Sequence, residues 1–375
     1  MPHSRVYFYG PKIIKNGKVV QIAKKIKESA GEVIDAKGLY VLPGGIDIHT
    51  HLDMPFMGSF SSDDFETGTI AAAFGGTTSL VDFAIQGKRM SLKGTLNTWM
   101  KKARKKAVID YGFHVAITDL NDRVMNEIPE MVAMGVPSFK CFLAYKGALM
   151  IDDGILINDL LAQGKTEPKY HALSRPPEAE AEATGRGIAI AQMAGAPIYI
   201  VHLTCKEALA KVKEARDAGF PVLAETCPQY LLKSYQNYLE PGFQGAKYVM
   251  SPPLRDKSNW DVLWKGLAYG DLQVVSTDHC PFNFKGQKDK GKKNFALIPN
   301  GAPGIEHRVM LLFHEGVNKK KIGLNRFVEL VSTAPAKLFG LFPHSNGQII
   351  VNDGKFLGKP GTGRFLKRRP FRLTA

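Results

Sequence analysis

The 375-residue chain contains no run of about 18 consecutive apolar residues, which excludes an ordinary membrane-spanning helix. Its opening residues, MPHSRVYFYGPK, lack the apolar core and small-residue cleavage site of a secretory signal. We therefore read the chain as cytoplasmic, with no membrane partner. Cysteine is scarce: Cys141, Cys205, Cys227 and Cys280 are scattered without C-x-x-C spacing. That spacing excludes a disulfide framework or a zinc knuckle and suits reduced thiols packed at strand ends. No G-x-G-x-x-G follows an apolar segment, so dinucleotide binding gets little support. Acidic side chains are the minority, 35 against 50 lysines and arginines, leaving a formal charge of +15. The basic excess falls in clusters at Lys101–Lys106, Lys285–Lys293, Lys319–Lys321 and Lys355–Arg372. No basic-aromatic stripe or nucleic-acid motif accompanies them, so they read as solvated helix faces and loops rather than a nucleic-acid surface.

What is present is an ordinary globular composition, 44% hydrophobic and 23% charged, in a chain long enough for one large and one small domain. The chain is organised around VLPGGIDIHTHLD, Val41 to Asp53. After Gly44 and Gly45 the pattern alternates, with Ile46 and Ile48 on one side and Asp47, His49 and His51 on the other. Strand geometry sends residues i and i+2 to the same face, so His49 and His51 project together from one strand end. Two imidazoles so placed suit a metal ion. An isolated H-x-H is more often a pair of ordinary histidines, but later strands supply partners here.

The first forty residues read as short strands. IIKNGKVVQIA, Ile13 to Ala23, carries Asn-Gly between apolar runs, a hairpin signal. GEVIDAKGLYVL adds two further short strands. From Gly44 to about Pro343, apolar strands alternate with helices. The expected strands end at His51, Phe83, Ile117, Leu143, His202, Thr226 and Asp278. Helices are expected over Leu92–Ala107, Val124–Met134, Glu178–Ala194 and Lys206–Ala218. Strict alternation argues for an α/β fold with a parallel sheet and crossover helices. About 300 residues of it suggest a TIM-type (β/α) barrel with chemistry at the C-terminal strand ends. An open doubly wound sheet is the runner-up. Seven strands are counted, one short of eight, with the gap between Lys140 and His202.

Ionisable residues recur at these strand ends: His49 and His51, Lys140, His202 and Asp278. A lysine within the apolar strand SFKCFL is costly unless paired or neutralised, and carbamylation would turn it into a carboxylate-like bridging ligand. His114 reads as a satisfied core histidine, and His171 and His279 as non-ligating. Phe56, Phe60 and Phe65 stand equally open as substrate-loop or packing residues.

The segments GGIDIHTHLDMPFMG, SFKCFLAYKGALM, IYIVHLTCKEAL, AETCPQYL, YVMSPPLRDK, STDHCPFNF and IPNGAPGIEHR resemble the dihydropyrimidinase and D-hydantoinase branch of the cyclic amidohydrolases. The resemblance covers most of the chain from Gly44 to Pro343. It implies a (β/α)8 barrel with a small β-sandwich from both chain ends, and two zinc ions bridged by a carbamylated lysine and a hydroxide. The implied reaction, part of pyrimidine catabolism, opens cyclic ureides to N-carbamoyl amino acids, in a homotetramer. Carried over by residue, His49, His51 and Asp278 would hold one metal with Lys140, and Lys140 and His202 the other. Asp278 would move the proton, Tyr145 would stabilise the oxyanion, and main-chain groups of Ser251 and Asn300 would hold the ureide. From the residues alone, Ser251 and Asn300 read as turn positions beside Pro252 and Gly301.

The chain also departs from that pattern. The family carries a strand ending in a histidine of the form VHAEN between the positions matched by Lys140 and His202. Those residues stand only about sixty positions apart here, and no such histidine is present. The second metal then keeps two protein ligands, too few for a firm zinc site. Both halves of the sandwich are short. The expected organisation is a barrel over 44–344 lacking one βα unit, with a truncated β-sandwich from 1–43 and 345–375. A catalytically impaired relative with a scaffold role is the alternative function.

Overall fold

The computed structural model describes residues 12–15, 18–23, 25–27, 31, 33–36, 38–119, 121–141, 160–341, 350–352 and 354–371. Seven of its strands run parallel: β1 (Gly45–Thr50), β2 (Thr77–Ile85), β3 (Asp110–Ile117), β4 (Phe139–Cys141), β5 (Ile198–Ile200), β6 (Val222–Thr226) and β7 (Val274–Val275). They form two runs, β1-β2-β3-β4 and β5-β6-β7. The runs meet where β7 returns to β1: the Asp278 amide donates to the His49 carbonyl at 3.0 Å, and the His51 amide to the His279 carbonyl at 3.0 Å. Among the described residues no ladder joins β4 to β5. The result is a curled parallel sheet, a partial barrel, rather than the open sheet.

Helices cover the outside. The longer ones are α1 (Thr67–Phe74), α2 (Leu92–Arg104), α3 (Asp122–Ala133), α4 (Pro177–Met193), α5 (Lys206–Asp217) and α6 (Ser258–Tyr269). Their boundaries follow local chemistry. The Ser91 hydroxyl accepts from the Gly94 amide to start α2, whose last turn carries Lys101, Lys102 and Arg104 against the negative helix end. Pro177 opens α4, with Glu178 and Glu180 in its first turn. Gly270 closes α6 in the left-handed region, φ 93°, where a Cβ would be strained. Strands β1 and β2 are buried on both faces, as parallel strands under helices must be.

The base of the barrel is filled from the end of the chain. Leu341 and Leu366 pack with Ile46, Ile48, Val81 and Val274, and Phe339 lies against them. Residues 363–369 cross the starts of β3 and β4: the Tyr111 amide donates to the Arg364 carbonyl and the Leu366 amide to the Tyr111 carbonyl.

The hairpin expected near the N-terminus is present, Lys12–Lys15 antiparallel to Lys18–Ile22. The two strands expected in GEVIDAKGLYVL are not. Its described residues are irregular, Val33, Ile34, Leu39 and Tyr40 are exposed, and among the described residues no strand pairs with them. Cys205, Cys227 and Cys280 are buried as expected, whereas Cys141 is exposed.

Candidate metal centre

The site stands at the C-terminal strand ends. His49 and His51 leave β1 on one face, as alternation requires, and both are buried. Asp278 lies three residues beyond β7 with φ 53°, and His202 two beyond β5 with φ 40°. Non-glycine residues adopt this left-handed conformation at a cost of about 1–3 kcal/mol, and it recurs where side chains are re-aimed for function. Here it turns Asp278 inward while its neighbour His279 points away. The His279 Nε2 pairs with Asp63 at 2.9 Å, and its Nδ1 accepts from the Gly304 amide at 3.1 Å.

The Asp278 Oδ1 lies 3.2 Å from the His49 Nε2 and 3.3 Å from the His51 Nε2. One donor atom from each of these three residues falls within 4.8 Å of the others. Two imidazole nitrogens and a carboxylate converging in a buried pocket form a donor set that suits a divalent transition metal. Lys140 on β4 completes the cluster, its Nζ 3.3 Å from the His49 Nε2 and 4.4 Å from the centre of the Phe83 ring. Phe83 floors the pocket: the His51 ring stacks on it at 5.2 Å and the His49 ring leans on it at 4.8 Å. His202 is adjacent, its ring 5.3 Å from that of His49, but it is not part of the three-donor set.

Charge in this pocket is shaped by burial and by its neighbours. Burial and Lys140 work to lower the His49 pKa, but the Asp278 and Glu225 carboxylates outweigh them and it is raised. Burial lowers His51 to about 4 and takes His202 well below the ordinary histidine value. Burial also lowers Lys140. For Asp278, burial opposes ionisation, but His49 and His51 hold its pKa well below the usual carboxylate range.

Sequence reasoning missed what stands behind these donors. Glu225 on β6 is fully buried, and its Oε1 lies 2.6 Å from the His49 Nδ1. It also accepts from the Tyr199 hydroxyl at 3.0 Å, the Ser276 hydroxyl at 2.5 Å and the His202 amide at 3.3 Å. A carboxylate on the far nitrogen fixes the tautomer, so that the Nε2 lone pair faces the pocket. The signal was available: PVLAETC puts a charged residue inside an apolar strand, as SFKCFL does. Asp47 anchors the same strand from below. It accepts from the Thr277 hydroxyl at 2.6 Å and lies 3.9 Å from the buried Arg308.

Ser251 and Asn300 come together, the Asn300 Nδ2 donating to the Ser251 Oγ at 3.1 Å. Ala302 bridges to His279, which ties this pair to the residue beside Asp278. Tyr145 lies outside the described residues. His114 is a satisfied core histidine, with Nδ1 2.7 Å from the Ser138 Oγ and Nε2 3.0 Å from the Ile48 carbonyl. Of the three phenylalanines, Phe65 belongs to the core, Phe56 lies against Phe282 and Phe60 is exposed.

Residues 40–227 match the amidohydrolase family. A D-hydantoinase of Geobacillus stearothermophilus is 44% identical over 438 aligned positions, which span 96% of this chain and 93% of that protein. The chain belongs to the amidohydrolase family. A D-hydantoinase of Streptomyces coelicolor is 47% identical, covering 88% of this chain and 78% of that protein. The crystal structure of a dihydropyrimidinase from Brevibacillus agri superposes with a TM-score of 0.94 at 44% identity, over 96% of this chain and 95% of that one. Within the family the chain therefore stands on the hydantoinase and dihydropyrimidinase branch and is a cyclic amidohydrolase.

Proposed function

We propose that this amidohydrolase opens the cyclic amide of dihydropyrimidines and hydantoins to N-carbamoyl amino acids, using zinc. The observation that carries the reading is the convergence of the His49, His51 and Asp278 donors beside Lys140 at the C-terminal strand ends. The extent of likeness to D-hydantoinases supports the substrate class. A divalent cation bound there would polarise the ring carbonyl and acidify water. The chain's own residues do the rest. Asp278, its carboxylate beside both histidines, takes a proton from the attacking water and returns it to the departing ring nitrogen. Ser251 and Asn300 hold the ureide edge through main-chain groups. Tyr145 is assigned to the oxyanion from its place in FLAYKG.

Lys140 is proposed to be carbamylated, which replaces an amine that would repel a cation with a ligand that attracts it. Lys140 and His202 would serve a second zinc ion, with fewer protein donors than the first. The family pattern also leads us to propose a barrel over 44–344 lacking one βα unit, a small sandwich remnant from 1–43 and 345–375, a homotetramer and a cytoplasmic location. The alignment of 438 positions against 375 residues supports the deletion. Purified protein reconstituted with zinc and bicarbonate should open dihydrouracil or hydantoin. A protein that holds zinc and opens neither ring sinks this function and favours the scaffold role.

A further inference from the structure

Most buried ionisable groups outside the metal pocket have an evident structural partner. Asp110 is paired with Arg364, and Glu180 with Arg255. Lys288 is different. Its side chain is 2% exposed, and among the described residues no carboxylate pairs with it. Its Nζ instead donates to two backbone carbonyls, that of Val249 at 2.8 Å and that of Pro299 at 3.1 Å. These carbonyls belong to the two segments that bring Ser251 and Asn300 together.

Each segment has anchors of its own, and one backbone bond joins them. The His171 Nε2 lies 2.9 Å from the Met250 carbonyl, and the Tyr230 hydroxyl donates to the Pro252 carbonyl at 2.8 Å. Both flanks of Ser251 are thereby fixed from the interior. On the other side, the Gly301 amide donates to the Val249 carbonyl at 3.0 Å, and the Cys280 amide to the Ala302 carbonyl at 3.1 Å. Gly301 has φ 154°, and a Cβ there would overlap the Cys280 carbonyl. Lys288 reaches both segments at once from outside them. An ammonium suits this place because it offers three donors and no acceptor to two converging carbonyl dipoles. Burial lowers its pKa to about 7, yet a neutral amine still carries two N–H donors.

We propose that Lys288 is a positioning residue that clamps the Ser251 segment to the Asn300 segment, so that their main-chain groups meet the substrate in one fixed register. Its effect on substrate rests on the cyclic-ureide reading; the clamp does not. The substitution K288M keeps the length and apolar stem of the side chain and removes the donors. In K288M, hydrogen exchange at the Gly301 amide should accelerate about tenfold or more, because the Val249 carbonyl loses its anchor. The KM for hydantoin should rise about tenfold with kcat little changed, the pattern of lost binding contacts made equally in ground and transition states. Bound zinc, measured by elemental analysis, should stay at the wild-type level. If K288M does not fold, K288A assayed with added butylamine replaces it, and restoration of KM by the amine supports the clamp. Unchanged exchange at Gly301 in K288M overturns the proposal, as does a fall in kcat at constant KM. Should the wild-type protein open no ring, the substrate reading falls, while Gly301 exchange still decides the clamp.

Discussion

His49 stands between two carboxylates, with Asp278 on its Nε2 side and Glu225 on its Nδ1 side. Removing the Glu225 charge while keeping its shape tests which of them sets the ring. In E225Q the amide can present its NH2 to the Nδ1, which removes the preference for a lone pair at the Nε2. Zinc affinity should fall about 10–100-fold, as for other lost outer partners of metal-binding histidines. Competition with a fluorescent chelator measures it, and unchanged affinity would mean that Glu225 serves packing alone. Asp82 acts on the same strand from the other side. It accepts from the Thr50 hydroxyl and the Leu52 amide, both at 2.8 Å, and so brackets His51. Burial raises its pKa to about 7, against about 3.9 in an unfolded chain. A raised carboxyl binds its proton more tightly in the folded state. Its contribution to stability is therefore complete below about pH 4 and lost as pH rises through about 7. D82N should flatten the change in stability across that interval, as read by urea midpoints at several pH values. A slope identical to wild type would remove Asp82 from the explanation.

At the scale of elements, the chain end is part of the barrel's floor. Gly363 lies so close to β3 that a Cβ would overlap the Ile109 carbonyl. Arg368 is buried, donating to the Phe113 carbonyl and, at 2.8 Å, to the Ser138 Oγ. G363A should cost about 1–3 kcal/mol through overpacking against backbone and lower the melting temperature by several degrees. Calorimetry that finds no change would show that this segment is not seated on β3. Much of this architecture was legible in advance. The seven parallel strands and their helices were readable because buried parallel strands are near-continuous apolar runs separated by periods of 3.6. That His49, His51, Lys140 and Asp278 would gather at the strand ends was legible because charge inside such runs needs a reason. The floor was not. GTGRFLKRRPF alternates like any edge segment, and only the facing strand decides whether Leu366 and Arg368 point inward. The irregular residues after the N-terminal hairpin failed for a related reason. Val33, Ile34, Leu39 and Tyr40 have strand-like composition, but pairing is a property of two segments, and among the described residues no strand pairs with them.

For the whole molecule, the curled sheet brings Lys140 and Asp278, both far from His49 in sequence, to within hydrogen-bonding range of it. Glu225, the residue behind them, carried the signal of a charge inside an apolar strand, but its partner His49 lies on another strand and only the fold pairs the two. The proposed function has one consequence that outweighs the rest: ring opening should depend on Asp278. The most direct measurement is the rate of N-carbamoylglycine formation from hydantoin by the zinc-loaded protein, compared with D278N prepared identically. The wild-type protein should form it at a steady, zinc-dependent rate, and D278N about 10²–10⁴-fold more slowly while remaining folded. Equal rates in the two proteins, or no product from zinc-replete wild-type protein, would contradict the assignment.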